Sequence, residues 1–277
     1  MPGLEDELGD VVRKARSGLG ISLADLSQQV GISEADLKGV EVYTRHPDEA
    51  HVRRLAQSLQ LRPDQLWDLA EDSWSAPEAP WTIGSGLTID CLTNHYPEHC
   101  YIVVDRDNRC LIVDPGDEPE RIIAATVGAG RVAQGILITH NHQDHTGAVV
   151  PVQAATKALV YVHEADTSGV SGVPQESVRT FGGDGPLSIG SFEVRVLVTP
   201  GHTAGSTTFI LEGQGNTAAF CGDTLFAGSV GNARAGYDVI LNSVRDKLMR
   251  LPEATMLYPG HGPATTVSNE RQRNPFL

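Results

Sequence analysis

The chain has 277 residues, 40% of them hydrophobic, with 29 Gly, 16 Pro and a formal net charge of −14. That length suits one large domain, or a large domain with a small companion, and the Gly and Pro content suits a turn-rich α/β protein. The negative balance argues against a general polyanion binder, which needs clustered Lys and Arg, and no apolar run approaches the length that spans a bilayer.

The opening MPGLEDELGD has neither a basic region nor an apolar core, so a cytoplasmic protein without a signal peptide is expected. Ser22-Leu-Ala-Asp25 and Ser33-Glu-Ala-Asp36 each predict a helix start of the capping-box kind, with a tight turn around Gly31 between them. Pro47-Asp48 and Pro63-Asp64 begin two further short helices, with Val52, Leu55, Leu59, Leu66 and Leu69 as apolar positions. Through ISLADLSQQVGISEADLKGVE, residues 4–70 resemble a Cro/repressor-type helix-turn-helix domain, here taken as 1–72. The helix that would read DNA, Ser33 to Glu41, carries Glu34, Asp36 and Glu41 against Lys38. Residues 1–72 hold 8 Lys/Arg and 14 Asp/Glu, a balance of −6. A surface that repels phosphate favours a structural role, or a homodimer formed through this unit, over DNA binding.

Residues 73–86, SWSAPEAPWTIGSG, read as a linker that docks through Trp74 or Trp81. From Leu87 strand-like runs appear at 87–92, 101–104, 110–113, 136–139, 158–162, 192–198, 206–211 and 217–221. Helix-like runs fill 118–127, 145–156 and 237–250, so 87–277 is expected to be a layered α/β domain. Cys91, Cys100, Cys110 and Cys221 are scattered without a Cys-x-x-Cys pair, which suits reduced core thiols rather than thiolate zinc.

Chemistry concentrates in ILITHNHQDHTGAVV, where a buried-strand run leads into His140, His142, Asp144 and His145. Three imidazoles and a carboxylate within six positions have no packing use, whereas neutral imidazoles beside carboxylates suit a borderline divalent ion. TPGHTAGS adds His202, CGDTLF adds Asp223 and LYPGHGP adds His261, each beside glycine and after an apolar run. Six or seven such donors exceed one tetrahedral ion and fit two. Two cations depress the pKa of a shared hydroxide, which can attack a thioester or ester carbonyl while a metal stabilises the oxyanion. No Ser or Cys nucleophile is then needed: Cys221 reads as packed, and Ser206 as a residue of the His202 loop.

In their order, THNHQDHTG, PGHTAGS, GDTLF and YPGHGP resemble the metallo-β-lactamase superfamily, and with the closing ERQRNPFL its glyoxalase II-like hydrolases. The resemblance covers about Leu87 to Leu277 and implies a four-layer αβ/βα sandwich with the active site at one edge of the paired sheets. It also implies the ligand partition: His140, His142 and His202 on one zinc, Asp144, His145 and His261 on a second, and Asp223 bridging. Asp144 and Asp223 are thereby the catalytic carboxylates, and the implied reaction is hydrolysis of a small thioester or ester by a metal-bridging hydroxide.

The sequence departs from that branch after Asp223, where a Gly-Arg-Thr/Ser-Asp segment is usual. Here FAGSVGNARAGYD carries Asn232 and displaces Arg234, which puts the acyl-glutathione substrate in doubt. Asn232, Arg234, Arg271, Arg273 and His95 are the candidate substrate contacts, with His95 or His99 near the mouth of the site or both on the surface. Two other readings share parts of the pattern. One is a mononuclear iron oxygenase resembling persulfide dioxygenases, with Fe2+ on His140, His202 and Asp223, or a mixed iron and zinc centre. The other is a ligand-sensing transcription regulator. A β-lactamase proper is disfavoured by the missing export signal.

Overall fold

The computed structural model describes residues 3–78, 82–83, 86–213 and 216–277. Five helices come first: α1 Leu8–Gly18, α2 Leu23–Val30, α3 Glu34–Glu41, α4 Glu49–Ser58 and α5 Pro63–Ala70. The predicted caps are in place. Ser22 Oγ accepts from the Asp25 amide at 3.0 Å, and Ser33 Oγ accepts from the Asp36 amide at 3.1 Å. Each such cap is worth about 1 kcal/mol. Gly31, at φ +79°, ends α2 in the left-handed conformation that glycine adopts without strain. Helix α1 carried no such signal, because its cap is Glu7 paired reciprocally with Asp10 rather than Ser or Thr.

One expectation about this unit is corrected. Glu41 does not add to an acidic reading face; it is buried, and both its oxygens accept from Arg16, at 2.5 and 3.1 Å. Removing either partner of a buried pair of this kind typically costs about 3–5 kcal/mol, so Glu41 ties α3 to α1.

The strands form two large sheets. The first contains β1 Thr82–Ile83, β2 Leu87–Thr93, β3 His99–Val104, β4 Arg109–Val113, β5 Val132–Leu137, β6 Leu159–His163 and β7 Val178–Phe181, in that spatial order. Pairing is antiparallel from β1 to β4 and parallel from β4 to β7, with α6 Pro119–Ala125 crossing between β4 and β5. The second sheet is built from β8 Gly185–Ile189, β9 Phe192–Val198, β10 Thr207–Gly213 and β11 Asn216–Gly222. After a small hairpin, β12 Leu225–Phe226 with β13 Ser229–Val230, it is completed by β14 Met256–Pro259 and β15 Thr265–Thr266. Its order is β15-β14-β11-β10-β9-β8.

Period-two alternation sorts the side chains into layers. Val103, Leu111, Val113 and Leu137 from the first sheet meet Val196, Phe209, Leu211, Phe220 and Tyr258 from the second. The outer face of the first sheet, through Ile112, Ile136 and Val160, packs on Ile122 of α6 and on Val149 and Val152 of α8 Val149–Thr156. The outer face of the second, through Ile210, Ala219 and Leu257, packs on Val244, Leu248 and Val267. The result is the expected four-layer sandwich preceded by a helical segment.

That last core does not stop at the sandwich. It runs without a break into Val11, Leu26, Leu37, Leu55 and Leu66 of the five helices. The Arg62 amide donates to the Pro275 carbonyl at 2.8 Å, and Lys14 Nζ donates to the Val230 carbonyl at 2.9 Å. Trp74 of the connector is buried against Gly228, while Trp81 lies outside the described residues.

Several predicted boundaries shift. The helix-like run 145–156 divides into α7 Gln143–Thr146 and α8, and 237–250 into α9 Tyr237–Asn242, a π turn and a 3-10 turn. The run 136–139 belongs to β5, which ends at Leu137, so Ile138 and Thr139 already lead into the loop. Strands β7, β8 and β14 and helix α10 Val267–Arg273 carried signals too short to be read.

Candidate metal centre

Four loops leave the ends of β5, β9, β11 and β14 and carry every predicted ligand to one edge of the sandwich. His140 and His142 precede α7, Asp144 and His145 ride on it, and His202, Asp223 and His261 arrive singly. Close backbone approach makes this convergence feasible. Gly222, at φ +48°, has Thr139 Oγ1 2.3 Å from where a Cβ would lie. A Cβ on Gly260 would sit 2.5 Å from Asp223 Oδ1, so only glycine leaves that carboxylate its space.

The donor atoms fall into two groups. His142 Nδ1 lies 3.0 Å from His140 Nε2 and 2.8 Å from His202 Nε2, with Asp223 Oδ2 3.5 Å from His202 Nε2. In the second group Asp144 Oδ2 lies 3.3 Å from His261 Nε2 and 3.9 Å from His145 Nε2. Asp223 Oδ1 reaches this group too, 3.3 Å from His145 Nε2 and 3.9 Å from His261 Nε2. Both His145 Nε2 and Asp223 Oδ1 are buried without a hydrogen-bond partner among the described residues. Buried ligand atoms of this type, 3.3 Å apart and outside any hydrogen bond, fit a cation.

Neighbouring groups fix the tautomers. His145 Nδ1–H donates to Asp114 Oδ2 at 3.0 Å, and His202 Nδ1–H donates to the Asn232 carbonyl at 2.9 Å. Thr139 Oγ1 donates to Asp114 Oδ2 at 2.6 Å and so accepts from His140 Nδ1–H at 3.1 Å. All three rings therefore turn Nε2 inward, as partners behind a metal site do. Asp114, at φ +49°, is held in a left-handed conformation that aims its carboxylate at both Thr139 and His145. Sequence reasoning missed this residue, although DPGD follows an apolar run just as GDTLF does. It also missed Asp166, which accepts from Thr203 Oγ1 at 2.5 Å and the Gly205 amide at 3.2 Å and so braces the His202 loop.

Electrostatics separate the two groups. Burial, reinforced by His145, keeps His140 well below the ordinary histidine range. Burial also pushes His202 down to about 4 against the pull of Asp223, and burial with Arg234 lowers His142. His145 behaves oppositely: burial disfavours its charge, but Asp223 and Asp114 outweigh burial and hold it well above the usual range. His261 is likewise raised, its burial outweighed by the bond to Asp144 and by Asp223. Asp223 is held far below the usual carboxylate range, since His145 more than offsets its burial.

The candidate substrate contacts divide sharply. Arg234 and Asn232 line a cavity of about 500 Å³ over the cluster, with Asp144, Asp223, His202 and His261. Arg234 Nη1 sits 3.3 Å from His142 Nε2, whereas Asn232 serves through its main-chain carbonyl. Arg271 and Arg273 are not brought to this cavity. Arg271 donates to the Met249 carbonyl and to Glu253, and Arg273 to the Ser73 carbonyl, while the α10 backbone accepts from Arg62 and Gln65 of the helical unit. His95 is exposed beside Asp117 and does not line the cavity either. His99 is neither at the mouth nor on the surface: its Nε2–H donates to the Gly262 carbonyl at 2.8 Å and supports the His261 loop. Cys221 is buried among carbonyls with its thiol pushed up by burial, and Ser206 Oγ accepts from the Thr203 amide at 2.9 Å, as their packing roles require.

Comparison with known proteins agrees with this geometry. The family described as Metallo-beta-lactamase superfamily matches residues 93–261. A "Probable metallo-hydrolase YqgX" of Bacillus subtilis is 35% identical over 188 residues, 62% of this chain and 88% of that protein. A "Hydroxyacylglutathione hydrolase GloC" of Haemophilus influenzae is 30% identical over 200 residues, 66% of this chain and 93% of that protein. Among solved structures, TTHA1623 in a di-iron-bound form is 32% identical with a TM-score of 0.57, covering 68% of this chain and 99% of that one.

Proposed function

Since the chain belongs to the metallo-β-lactamase superfamily, we propose that it is a dinuclear metal-dependent hydrolase of a small thioester or ester. The observation that carries this reading is Asp223, whose two carboxylate oxygens face two separate groups of three donors. In it, His140, His142 and His202 hold one ion, Asp144, His145 and His261 the other, and Asp223 joins them. Bound there, two divalent cations supply an activated water near neutral pH and Lewis acidity for the carbonyl oxygen. Zinc suits the imidazole and carboxylate donors, and the di-iron form of a 32%-identical relative makes iron the competing occupant.

The side chains around that centre have separable tasks. Asp144 is half-exposed to the cavity, and the bond of its Oδ2 to His261 lowers its carboxyl pKa and keeps it ionised, so it would hold an ion of the second group rather than carry a proton. Asp114 and Thr139 keep His145 and His140 in one tautomer. His142 faces the cluster through Nδ1, so ligation leaves a proton on Nε2. That nitrogen then cannot accept from Arg234, and the guanidinium is free to meet an anionic group of the substrate.

Arg234→Ala is therefore expected to raise KM for a carboxylated thioester about tenfold with a smaller change in kcat. Asn232→Ala should change either constant less than about threefold, since its carbonyl remains. Steady-state kinetics on the two variants check both. For the reading as a whole, protein isolated without added metal should carry two ions per chain and cleave a thioester. A single iron per chain, with oxygen uptake on glutathione persulfide, would overturn it in favour of an oxygenase. No helix among the described residues is long and apolar enough to cross a membrane.

A further inference from the structure

The cavity over the metal cluster is walled in part by residues that lie far outside the family match, which begins at residue 93. Glu5, Asp6 and Lys14 of the helical unit share it with Asp144, Asp223 and His261. The segment is pinned there. Lys14 Nζ pairs with Asp6, donates to the Val230 carbonyl and lies 4.8 Å from the centroid of the Phe226 ring. Gly262, next to His261, packs so closely that a Cβ on it would meet Glu5 N at 3.1 Å. With Asp6 paired to Lys14, Glu5 adds a second carboxylate to this wall, one that feels the opposite charges of His261 and, more weakly, Lys14. Among the described residues no hydrogen bond or ion pair engages its carboxylate, although it is close enough to feel His261 and Asp223. Arg234 stands at the His142 side of the same cavity, so the charges available to a substrate are opposite in sign at its two ends.

We propose that Glu5, supplied by the N-terminal helical unit, is a specificity-determining residue of the cleft, selecting substrates that present a cationic amine toward the His261 side and rejecting those that present a carboxylate there. The helical unit then serves the site as a fixed wall in the same chain. This proposal rests on the reading of the centre as a metallohydrolase, and the substrate class it names is an amine-bearing thioester or ester.

The test uses the full-length, metal-loaded protein and two matched pairs of probes. Cysteamine and 3-mercaptopropionate bind metal through sulfur and differ in the charge at the other end; acetylthiocholine and S-acetyl-3-mercaptopropionate are thioesters differing likewise. The quantity read is the cationic-to-anionic ratio within each pair, because Arg234 at the His142 side of the cavity can hold the anionic member. Reversing one charge at the wall of a partly screened cleft is worth about one tenfold step, so Glu5→Lys should lower the cationic-to-anionic ratio of Kd-derived affinities, and of kcat/KM, about tenfold. Glu5→Gln, which keeps the shape, should lower it about threefold. Glu71→Lys, the same charge change on an exposed residue away from the cavity, should leave it unchanged. A ratio in Glu5→Lys and Glu5→Gln within twofold of wild type, or an equal shift in Glu71→Lys, overturns the proposal. If the thiols show these shifts in ratio and neither thioester is cleaved, the role of Glu5 stands and the hydrolase reading falls.

Discussion

Asp223→Asn is expected to lower thioester hydrolysis by on the order of a thousandfold and to bring the bound metal from two ions per chain toward one. The carboxamide has nearly the volume of the carboxylate, so the buried site stays filled and the fold should survive. What is lost is the second oxygen. Asp223 Oδ1 serves the group of His145 and His261 while Oδ2 serves that of His140, His142 and His202, and an amide offers one acceptor edge and one donor edge. An N–H turned toward either group repels a cation there. Lewis-acid stabilisation is worth several kcal/mol, and each 1.36 kcal/mol is tenfold in rate, which sets the expected magnitude. Metal content by elemental mass spectrometry and kcat/KM are the two readouts. Two ions retained with activity within tenfold of wild type would remove Asp223 from its bridging role.

The ligand loops were legible because each donor announces itself locally. His140, His202, Asp223 and His261 follow apolar runs and stand beside glycine or within a dense histidine cluster, and these signals need no knowledge of the fold. Asp114 carried half of that signal and was passed over; its importance lies in Thr139 and His145, 25 and 31 residues away, which only β4 and β5 pairing in parallel brings into reach. Glu98 carried none. It sits in a polar stretch, NHYPEHC, yet is buried, bridges by backbone to His261 and turns an oxygen that makes no hydrogen bond to within 3.8 Å of His145, with burial raising it well above the ordinary carboxylate range. Arg271 and Arg273 failed for the converse reason: a C-terminal arginine looks free in sequence, and here α10 is sandwiched between the second sheet and the helical unit.

The helical unit shows the same limit on a larger scale. Its caps and apolar spacing were readable, because they are set within four residues. That its first helix would share a core with the second sheet, and that Glu41 would turn inward to Arg16, depended on contacts across more than twenty residues. Its acidic composition reaches the candidate centre, since Glu5 and Asp6 line the same cavity as Asp144, Asp223 and His261.

Stripping the metal with a chelator is expected to abolish hydrolysis, by more than about a thousandfold, and rebinding should release protons unequally. In the metal-free protein near pH 7, His140 and His202 are already neutral, held down by burial, and His142 is lowered in the same direction. The first group therefore fills with almost no proton displaced. His145 and His261 are held above the ordinary range by Asp223, Asp114 and Asp144, so an ion entering the second group must displace more protons than one entering the first. Affinity there should rise about tenfold per pH unit for each proton released. Stability follows the same sign. Because the folded His145 pKa lies above its unfolded value, its contribution to the metal-free protein is full below about pH 6.5 and fades as pH rises through the folded value. The metal-loaded protein has no such dependence, since a cation replaces the proton. The gap in Tm between loaded and stripped protein should accordingly widen with rising pH until the folded His145 value is passed. Calorimetric titration of zinc in buffers of different ionisation enthalpy counts the protons for each ion, and equal release at both steps would show that the two groups are not electrostatically distinct.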